Sequence, residues 1–387
     1  MIAYNEQSLD RLAIDSEVAL AHKKRLLSDQ EYSNVLHAHK PGLYSPNLFI
    51  RIGLFVLTVV IVAMIFGLAL LITESVLSND GIFFSITLVF GCLIYAALEW
   101  IIRSKRHYRS GVDDALLWLA LICFVADIGI YFDLSELWMS LMIFAFSLAA
   151  TVRFANSVMS AVAFCSFIAV IFYSITPAGT IAKTILPFVT MLMGAAAYLT
   201  AIKCKHQYSV RHYRYCFMMI EVLSLITIYA AVNYFIVREL SIQMFDLHLP
   251  QNASITGGWF FWTCTFVLPL IYIARGLQSK DHLILRVGLL LIAATIFTFR
   301  YYYSIAPIEQ VLTFAGIILI IIAYVLIKYL QTPRFGITDR QPEQHLQDGL
   351  NVESLIIAES FNEAPATDEG FRFGGGSTGG GGATGQF

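Results

Sequence analysis

Ten apolar stretches of about twenty residues each follow one another through the middle of this chain and constrain its fold more than any other feature. A helix rises about 1.5 Å per residue, so roughly 20 residues cross the ~30 Å hydrocarbon core of a bilayer. Hydrophobic residues make up 58% of the 387 residues and charged residues only 13%, whereas a soluble domain is about 25% charged. The predicted spans are 49–73, 81–102, 112–132, 134–152, 157–175, 181–203, 216–237, 257–275, 283–302 and 309–330.

The loops between these stretches are alternately rich and poor in lysine and arginine. Basic residues occur before the first stretch and after the second, fourth, sixth and eighth, whereas loops 74–80 and 176–180 have none. Cytoplasmic loops of membrane proteins carry the excess of Lys and Arg. The alternation predicts an all-α, polytopic transmembrane helical bundle of about ten spans with both termini in the cytoplasm. Only Asp133 and its neighbours separate the third and fourth stretches, so one broken element is the alternative to two helices there.

The composition divides the chain into three parts. Residues 1–48 are polar, and Ser28 followed by Glu31 is typical of a capping box, in which each residue binds the backbone N–H of the other. This part is predicted to be a cytoplasmic helical hairpin, and residues 49–330 form the transmembrane helical domain. Residues 331–387 are acidic and end in a glycine-rich run with little to bury, so a flexible cytoplasmic tail is expected there.

Charged residues inside the predicted spans are the candidates for a functional site, because such groups are costly in hydrocarbon. Glu221 and Asp127 lie about a turn and a half inside their helices. We expect Glu221 to lie near Arg286 or Arg51, and Asp127 to lie near Lys183 or Arg300. These polar clusters have two interpretations: ion pairs that hold helices together, which we favour, or the polar vestibules of a transporter. Asp113, Asp114 and Glu99 lie closer to the helix ends, where contact with the interface explains them.

Other kinds of chemistry have weak support in the sequence. The chain has no HExxH, GxSxG or P-loop motif, and none of its nine histidines lies in the core of a predicted span. Its six cysteines form no CxxC pair, so buried apolar packing is their expected role. We therefore predict no enzyme activity, catalytic residue, metal or cofactor. The net charge of −2 argues against a nucleic-acid partner.

Two short segments resemble known proteins. A polar segment with Leu26-Leu27-Ser28-Asp29-Gln30-Glu31-Tyr32 before the first span resembles uncharacterised bacterial polytopic membrane proteins with a soluble N-terminal helical segment. The glycine-rich, aromatic-ended run 373–387 resembles the C-termini of bacterial envelope proteins that include TPM-domain membrane proteins. The TPM domain itself is absent, so the resemblance implies no activity. It implies a bacterial protein and a partner that recognises the tail.

Two functions follow from this distribution of polar sequence. The preferred one is a non-enzymatic scaffold or assembly component of the bacterial inner membrane, which contacts membrane lipid and binds a protein partner through its cytoplasmic ends. The alternative is a transporter or channel for a small or lipidic substrate, for which the ten helices, Pro269 and the clusters at Glu221 and Asp127 are the motivation.

Overall fold

The computed structural model describes residues 2–23, 26–38, 42–73, 80–205, 207–245, 255, 257–303 and eight single positions between 310 and 328. Most of the tenth predicted span, 309–330, and the whole predicted tail, 331–387, lie outside the described residues. The described part is all-α and contains no strand. Its helices are α1 (Glu6–Lys23), α2 (Asp29–Ala38), α3 (Leu48–Ile72), α4 (Asp80–Lys105), α5 (Val112–Tyr131), α6 (Glu136–Phe154), α7 (Ser157–Ile175), α8 (Thr180–Lys205), α9 (Arg214–Val232), α10 (Tyr234–Phe245), α11 (Gly258–Ser279) and α12 (His282–Tyr302).

Nine helical segments in the described residues are long and apolar enough to cross a membrane. They correspond to the first nine predicted spans, so the all-α polytopic membrane fold is confirmed. Asp133, with a φ of 45°, stands in the turn between α5 and α6, which are two separate helices. The seventh span was predicted to be continuous over 216–237, and this is wrong. Helix α9 ends at Val232, Asn233 adopts an extended backbone, and α10 begins at Tyr234.

The helices pack mainly against their neighbours in sequence, as short loops require. Helices α4 and α5, α6 and α7, α8 and α9, and α11 and α12 form antiparallel hairpins, and α7 also packs against α9. Glycine permits the closest of these contacts. A Cβ atom at Gly276 of α11 would lie 2.8 Å from the backbone nitrogen of Leu285, and one at Gly288 of α12 would meet Ile273. Small residues at helix crossings let membrane helices approach closely.

Helix α3 lies at the periphery of the bundle. None of its residues is buried, and Met64, Leu71 and Ile72 are each about 70% or more exposed. It packs mainly against α5. In a membrane, such an apolar surface contacts lipid tails, which are as apolar as the side chains themselves.

The N-terminal segment contains the predicted capping box at the start of α2. The backbone N–H of Ser28 donates to the carboxylate of Glu31 at 2.9 Å, and the N–H of Glu31 donates to the Ser28 hydroxyl at 3.3 Å. Helix α1 contacts α2 through the ring of His22, which stacks on Tyr32 with 4.5 Å between ring centres. The segment also contacts the membrane bundle, because Tyr4 and Leu9 are less than 10% exposed and belong to the same apolar core as Leu98 of α4 and Met159 of α7.

Candidate functional site

The polar side chains of the described residues gather mainly in two places. One is the end of the bundle where α4, α6 and α8 end and α3, α5, α7 and α9 begin, which we call the charged end. The other is the junction of α9 with α10, which we call the broken-helix network. Each is built from residues that the local sequence places at a helix end or at a break in a helix.

Glu221, the first candidate from the sequence, is fully buried in α9. Its carboxylate lies 2.8 Å from Nζ of Lys205 at the end of α8. Lys205 was not among its expected partners, Arg286 and Arg51. The sequence did contain a signal for this pair, because a lysine that ends one helix of a hairpin comes beside the second turn of the next helix. Arg286 lies in the second turn of α12.

Arg51 lies in the first turn of α3 and binds a different acid. Its Nη2 and Nε lie 2.7 and 3.1 Å from the same carboxylate oxygen of Asp114, in the first turn of α5. The other oxygen of Asp114 accepts a hydrogen bond from Nδ2 of Asn156 at 2.8 Å. The Asn156 side-chain oxygen in turn caps α7 by accepting the N–H groups of Val158 and Met159. One carboxylate therefore joins the starts of three helices.

Asp127, the second candidate, is 6% exposed in α5. Its Oδ2 accepts no hydrogen bond from any described residue, and Nη1 of Arg300 in α12 likewise has no partner there. The two residues are not joined to each other in the described structure. The side chain of Lys183 lies outside the described residues. Asp127 is four residues from the end of α5, roughly 6 Å along the helix axis, which places it near the interface.

A partly buried ion pair at the charged end joins α4 to α6. Nε and Nη2 of Arg153 lie 2.9 and 3.0 Å from the two carboxylate oxygens of Glu99. This is the paired geometry in which a planar guanidinium binds a carboxylate most strongly. Arg103, one turn after Glu99 in α4, also lies 3.0 Å from Glu99.

The N-terminal segment also binds to the charged end of the bundle. The N–H of Ala3 donates to the carbonyl of Arg153 at 2.8 Å. The two carboxylate oxygens of Asp10 in α1 each lie 2.9 Å from a nitrogen of Arg211, which precedes α9. Hydrogen bonding by Arg211 holds the pKa of the Asp10 carboxyl below its ordinary value of 3.8. Asp10 is therefore ionised at neutral pH and keeps this contact.

The broken-helix network contains only neutral groups. Nδ2 of Asn233 donates to the hydroxyl of Tyr229 at 2.9 Å and to that of Thr298 at 3.1 Å. Its side-chain oxygen accepts the N–H of Ile236 in the first turn of α10, and the N–H of Tyr234 donates to the Thr265 hydroxyl at 3.0 Å. These contacts satisfy backbone groups that the break would otherwise leave unpaired in hydrocarbon.

Pro269 of α11 completes this network indirectly. Proline has no N–H, so the carbonyl four residues earlier, on Thr265, loses its partner within the helix. The hydroxyl of Thr295 in α12 donates to that carbonyl at 3.0 Å and also contacts the Tyr229 hydroxyl at 2.9 Å. Pro269 is recognisable in the sequence as a helix breaker. Asn233 is not, because asparagine in an apolar run breaks a helix only when other helices supply its hydrogen bonds.

Comparison of the chain with protein-family models, with curated proteins and with solved structures finds no match. The interpretation of both polar regions therefore rests on their own chemistry. Among the described residues, no three His, Cys, Asp or Glu side chains lie together as a metal site would need. The chemistry that is present consists of ion pairs, helix caps and neutral hydrogen bonds.

Proposed function

We propose that this integral membrane protein is a non-enzymatic scaffold or assembly component of the bacterial inner membrane. Its N-terminal helices and its C-terminal tail are the elements that bind a partner on the cytoplasmic side. The observation that supports this is that carboxylates of the charged end are paired within the chain. The carboxylates of Glu221, Asp114, Glu99 and Asp10 each have a basic side chain of the same chain as partner.

These ion pairs hold helices together rather than line a passage for a substrate. They join α8 to α9, α3 to α5, α4 to α6 and α1 to the turn before α9, so they connect several helices at one end of the bundle. For the buried pair of Glu221 with Lys205, removing one partner costs about 3–5 kcal/mol, because the other charge stays buried without compensation. Such contacts hold one arrangement of helices, as a scaffold requires.

The outward surface of the N-terminal helices is available to a partner. Glu6, Arg11 and Glu17 of α1 are exposed, while Asp10 on the same helix is bound to the bundle. The acidic, glycine-rich tail stays a predicted second element, and its resemblance to the ends of bacterial envelope proteins supports the bacterial location. The lysines and arginines of the loops support a cytoplasmic location for the charged end.

A charge-swap experiment tests this function. The full-length protein would be cross-linked in native membranes, purified and compared with Asp10→Arg, Arg211→Asp, the double variant and a chain truncated after Leu330. We expect at least one protein whose recovery falls in each single variant and in the truncated chain. Its recovery should return in the double variant, which restores the ion pair in reverse.

The outcome that contradicts the scaffold is an identical set of recovered proteins in all five samples. A loss that the double variant fails to restore would also contradict the role of the docked helix α1. The protein level in the membrane, measured in every sample, separates lost binding from lost folding.

The broken-helix network favours transport as a second candidate. Discontinuous helices occur in transporters, where the interrupted backbone lines a substrate site. The break at Asn233 lies roughly 28 Å along α9 from Arg214, and its polar groups are buried among three helices. A transporter would open this region to water in one of its states.

Cysteine labelling tests the second candidate. In a variant with the six native cysteines replaced by alanine, Thr298→Cys would be treated in membranes with a maleimide that cannot cross lipid. Transport predicts reaction at position 298, and none at the control Leu289→Cys, which is 46% exposed on the lipid-facing surface of α12. Position 298 remaining unreactive from both sides would remove this candidate.

A further inference from the structure

The loop between α4 and α5 holds one arginine in an unusual way. Arg109 has a φ of 50°, in the left-handed region that side chains other than glycine rarely adopt. The N–H groups of Arg109 and Ser110 both donate to the carboxylate of Asp113 at 2.8 Å, which fixes this backbone. Strained backbone persists where surrounding contacts determine it, and it concentrates at binding sites.

Gly111 holds the same loop against α3. It has a φ of 91°, and a Cβ atom there would lie 2.1 Å from the carbonyl oxygen of Arg51. Ser110 is fully buried beside it and hydrogen-bonds to His107 at 2.8 Å. The loop therefore has one arrangement, and the position of the Arg109 side chain is set by it.

The guanidinium of Arg109 contacts aromatic rings. Its Cζ lies 4.8 Å from the ring centre of Tyr215 in α9 and 5.7 Å from that of Tyr108. The ring of Tyr4, from the docked N-terminal segment, packs edge-on against Tyr108 at 5.0 Å. We call this group of Tyr4, Tyr108, Arg109 and Tyr215 the Arg109 cage.

Arg109 differs from three other arginines of the charged end. Arg51, Arg153 and Arg211 each bind a carboxylate. Within the described part of the chain, the Arg109 guanidinium forms no ion pair and donates no hydrogen bond, and it stacks on two tyrosine rings. Stacking on rings uses the faces of a guanidinium and leaves its N–H edges available to an acceptor.

The nearest carboxylates, those of Asp113 and Asp114, bind other groups and not the Arg109 guanidinium. Asp113 accepts two backbone N–H groups and the Ser110 hydroxyl, and Asp114 is bound to Arg51 and Asn156. Both also lie in the first turn of α5, where the helix dipole compensates negative charge. The Arg109 charge is thus available to a ligand.

Burial raises the pKa of the Tyr108 and Tyr4 phenols above the ordinary value of 10.0, so both hydroxyls keep their protons at neutral pH. Neither hydroxyl is bonded to a described residue. Protonated phenols and a guanidinium edge are all donors, and together they match a group that carries several acceptor oxygens and negative charge.

We propose that the Arg109 cage binds a phosphate group at the membrane surface. The fork of the guanidinium binds two phosphate oxygens, and the tyrosine hydroxyls donate to the remaining ones. The loop lies between the end of α4 and the start of α5, which is the level of lipid headgroups. A phospholipid headgroup and free phosphate share this chemistry. The site is separate from the scaffold and transport functions and requires neither.

Binding to the full-length protein in a non-ionic detergent tests the proposal. The probes are inorganic phosphate, dihexanoyl phosphatidic acid and dihexanoylglycerol, which lacks the phosphate, and calorimetry measures their affinity. Phosphatidic acid should bind and dihexanoylglycerol should not. Binding of inorganic phosphate as well would identify the phosphate alone as the recognised group, and its failure to bind would identify the lipid headgroup.

Arg109→Asn and Arg106→Asn form a matched pair of variants. Both arginines lie in the same loop with a positive φ, which asparagine tolerates, but Arg106 is exposed. Loss of a charge-assisted hydrogen bond should weaken binding at least about tenfold in Arg109→Asn. An exposed charge contributes little, so Arg106→Asn should change affinity less than about twofold.

Equal losses in the two variants would overturn the proposal, since they indicate attraction by surface charge in general. If the unchanged protein bound neither inorganic phosphate nor phosphatidic acid, the proposal would also be overturned. Gel filtration checks that Arg109→Asn is folded. If it is not folded, Arg109→Lys is measured instead, because lysine keeps the positive charge but lacks the two parallel N–H donors of the guanidinium. Affinity should fall at least about threefold in that variant, and an unchanged affinity would contradict the site.

Discussion

At the charged end, helices are joined by carboxylates that bind arginine or lysine, whereas at the broken-helix network they are joined by amide and hydroxyl groups without charge. Glu221 with Lys205 represents the first kind, and Asn233 with Thr298 the second. The difference lies in what a lost partner leaves behind. A buried carboxylate without its cation is an uncompensated charge, whereas an amide or hydroxyl without its partner is an unpaired neutral group. The unpaired neutral group costs less free energy than the unpaired charge, so substitutions in the two regions should lower the stability by different amounts.

The largest expected effect is at Glu221. Lys205→Met leaves a fully buried carboxylate without its cation, and we expect the free energy of unfolding to fall by about 3–5 kcal/mol. Unfolding in mixed detergent micelles measures it. The control is Lys205→Met with Glu221→Met, which removes both charges and should recover most of the loss. A double variant as unstable as the single one would show that the pair is not the cause.

A smaller effect is expected at the centre of the broken-helix network. Asn233→Leu removes two donated hydrogen bonds and the acceptor for Ile236, and leaves backbone groups of α10 unpaired. We expect a loss of about 1–3 kcal/mol in the same unfolding assay. A loss as large as that of Lys205→Met would contradict the contrast between charged and neutral regions.

Thr298→Val removes one hydroxyl of that network and preserves the shape of the side chain. Interhelical hydrogen bonds in membranes contribute about 0.6 kcal/mol on average, and we expect a loss of this size. Thr263→Val is the matched control, because Thr263 is exposed and its hydroxyl bonds only to its own helix, at the carbonyl of Trp259. The control should be unchanged within error, and equal losses would argue against a role between helices.

The smallest effect concerns the docking of α1 as a function of pH. Since Arg211 lowers the folded-state pKa of Asp10, the contact stabilises docking above the ordinary pKa of 3.8 and is lost as pH falls through the lowered value. The side chain is 40% exposed, so solvent screening limits the contribution to about 0.2–1 kcal/mol. Protease cleavage of the N-terminal segment should increase below this pH. Asp10→Asn should remove that dependence, and an unchanged profile would exclude Asp10 as its origin.

Much of the fold could be predicted from the sequence because lipid imposes a simple rule. Apolar runs of about twenty residues must be helices, and each of the first nine predicted runs contains one, although the helix of the seventh run ends early at Val232. The capping box at Ser28 was also predictable, since both of its partners lie within one turn. The break at Asn233 was not, because it depends on Thr265 and Thr298 from helices distant in sequence.

The candidate site was predicted only in part for the same reason. Glu221 was recognised by its depth in an apolar run, but depth does not specify which cation the packing of helices brings to it. Arg109 was not distinguished from the other basic residues of its loop, which topology and contact with anionic headgroups explain. Its left-handed backbone and its tyrosine neighbours appear only when three separate segments of the chain come together.

The docking of α1 has a consequence for the order of synthesis. Asp10 and Arg211 are 201 residues apart in the chain. At translation rates of about 5–20 residues per second, some 10–40 s separate the appearance of the acid from that of its cation. During this interval the first helices enter the membrane while the Asp10 carboxylate lacks its cation. The final ion pair of α1 therefore forms late, after the first six spans have been made.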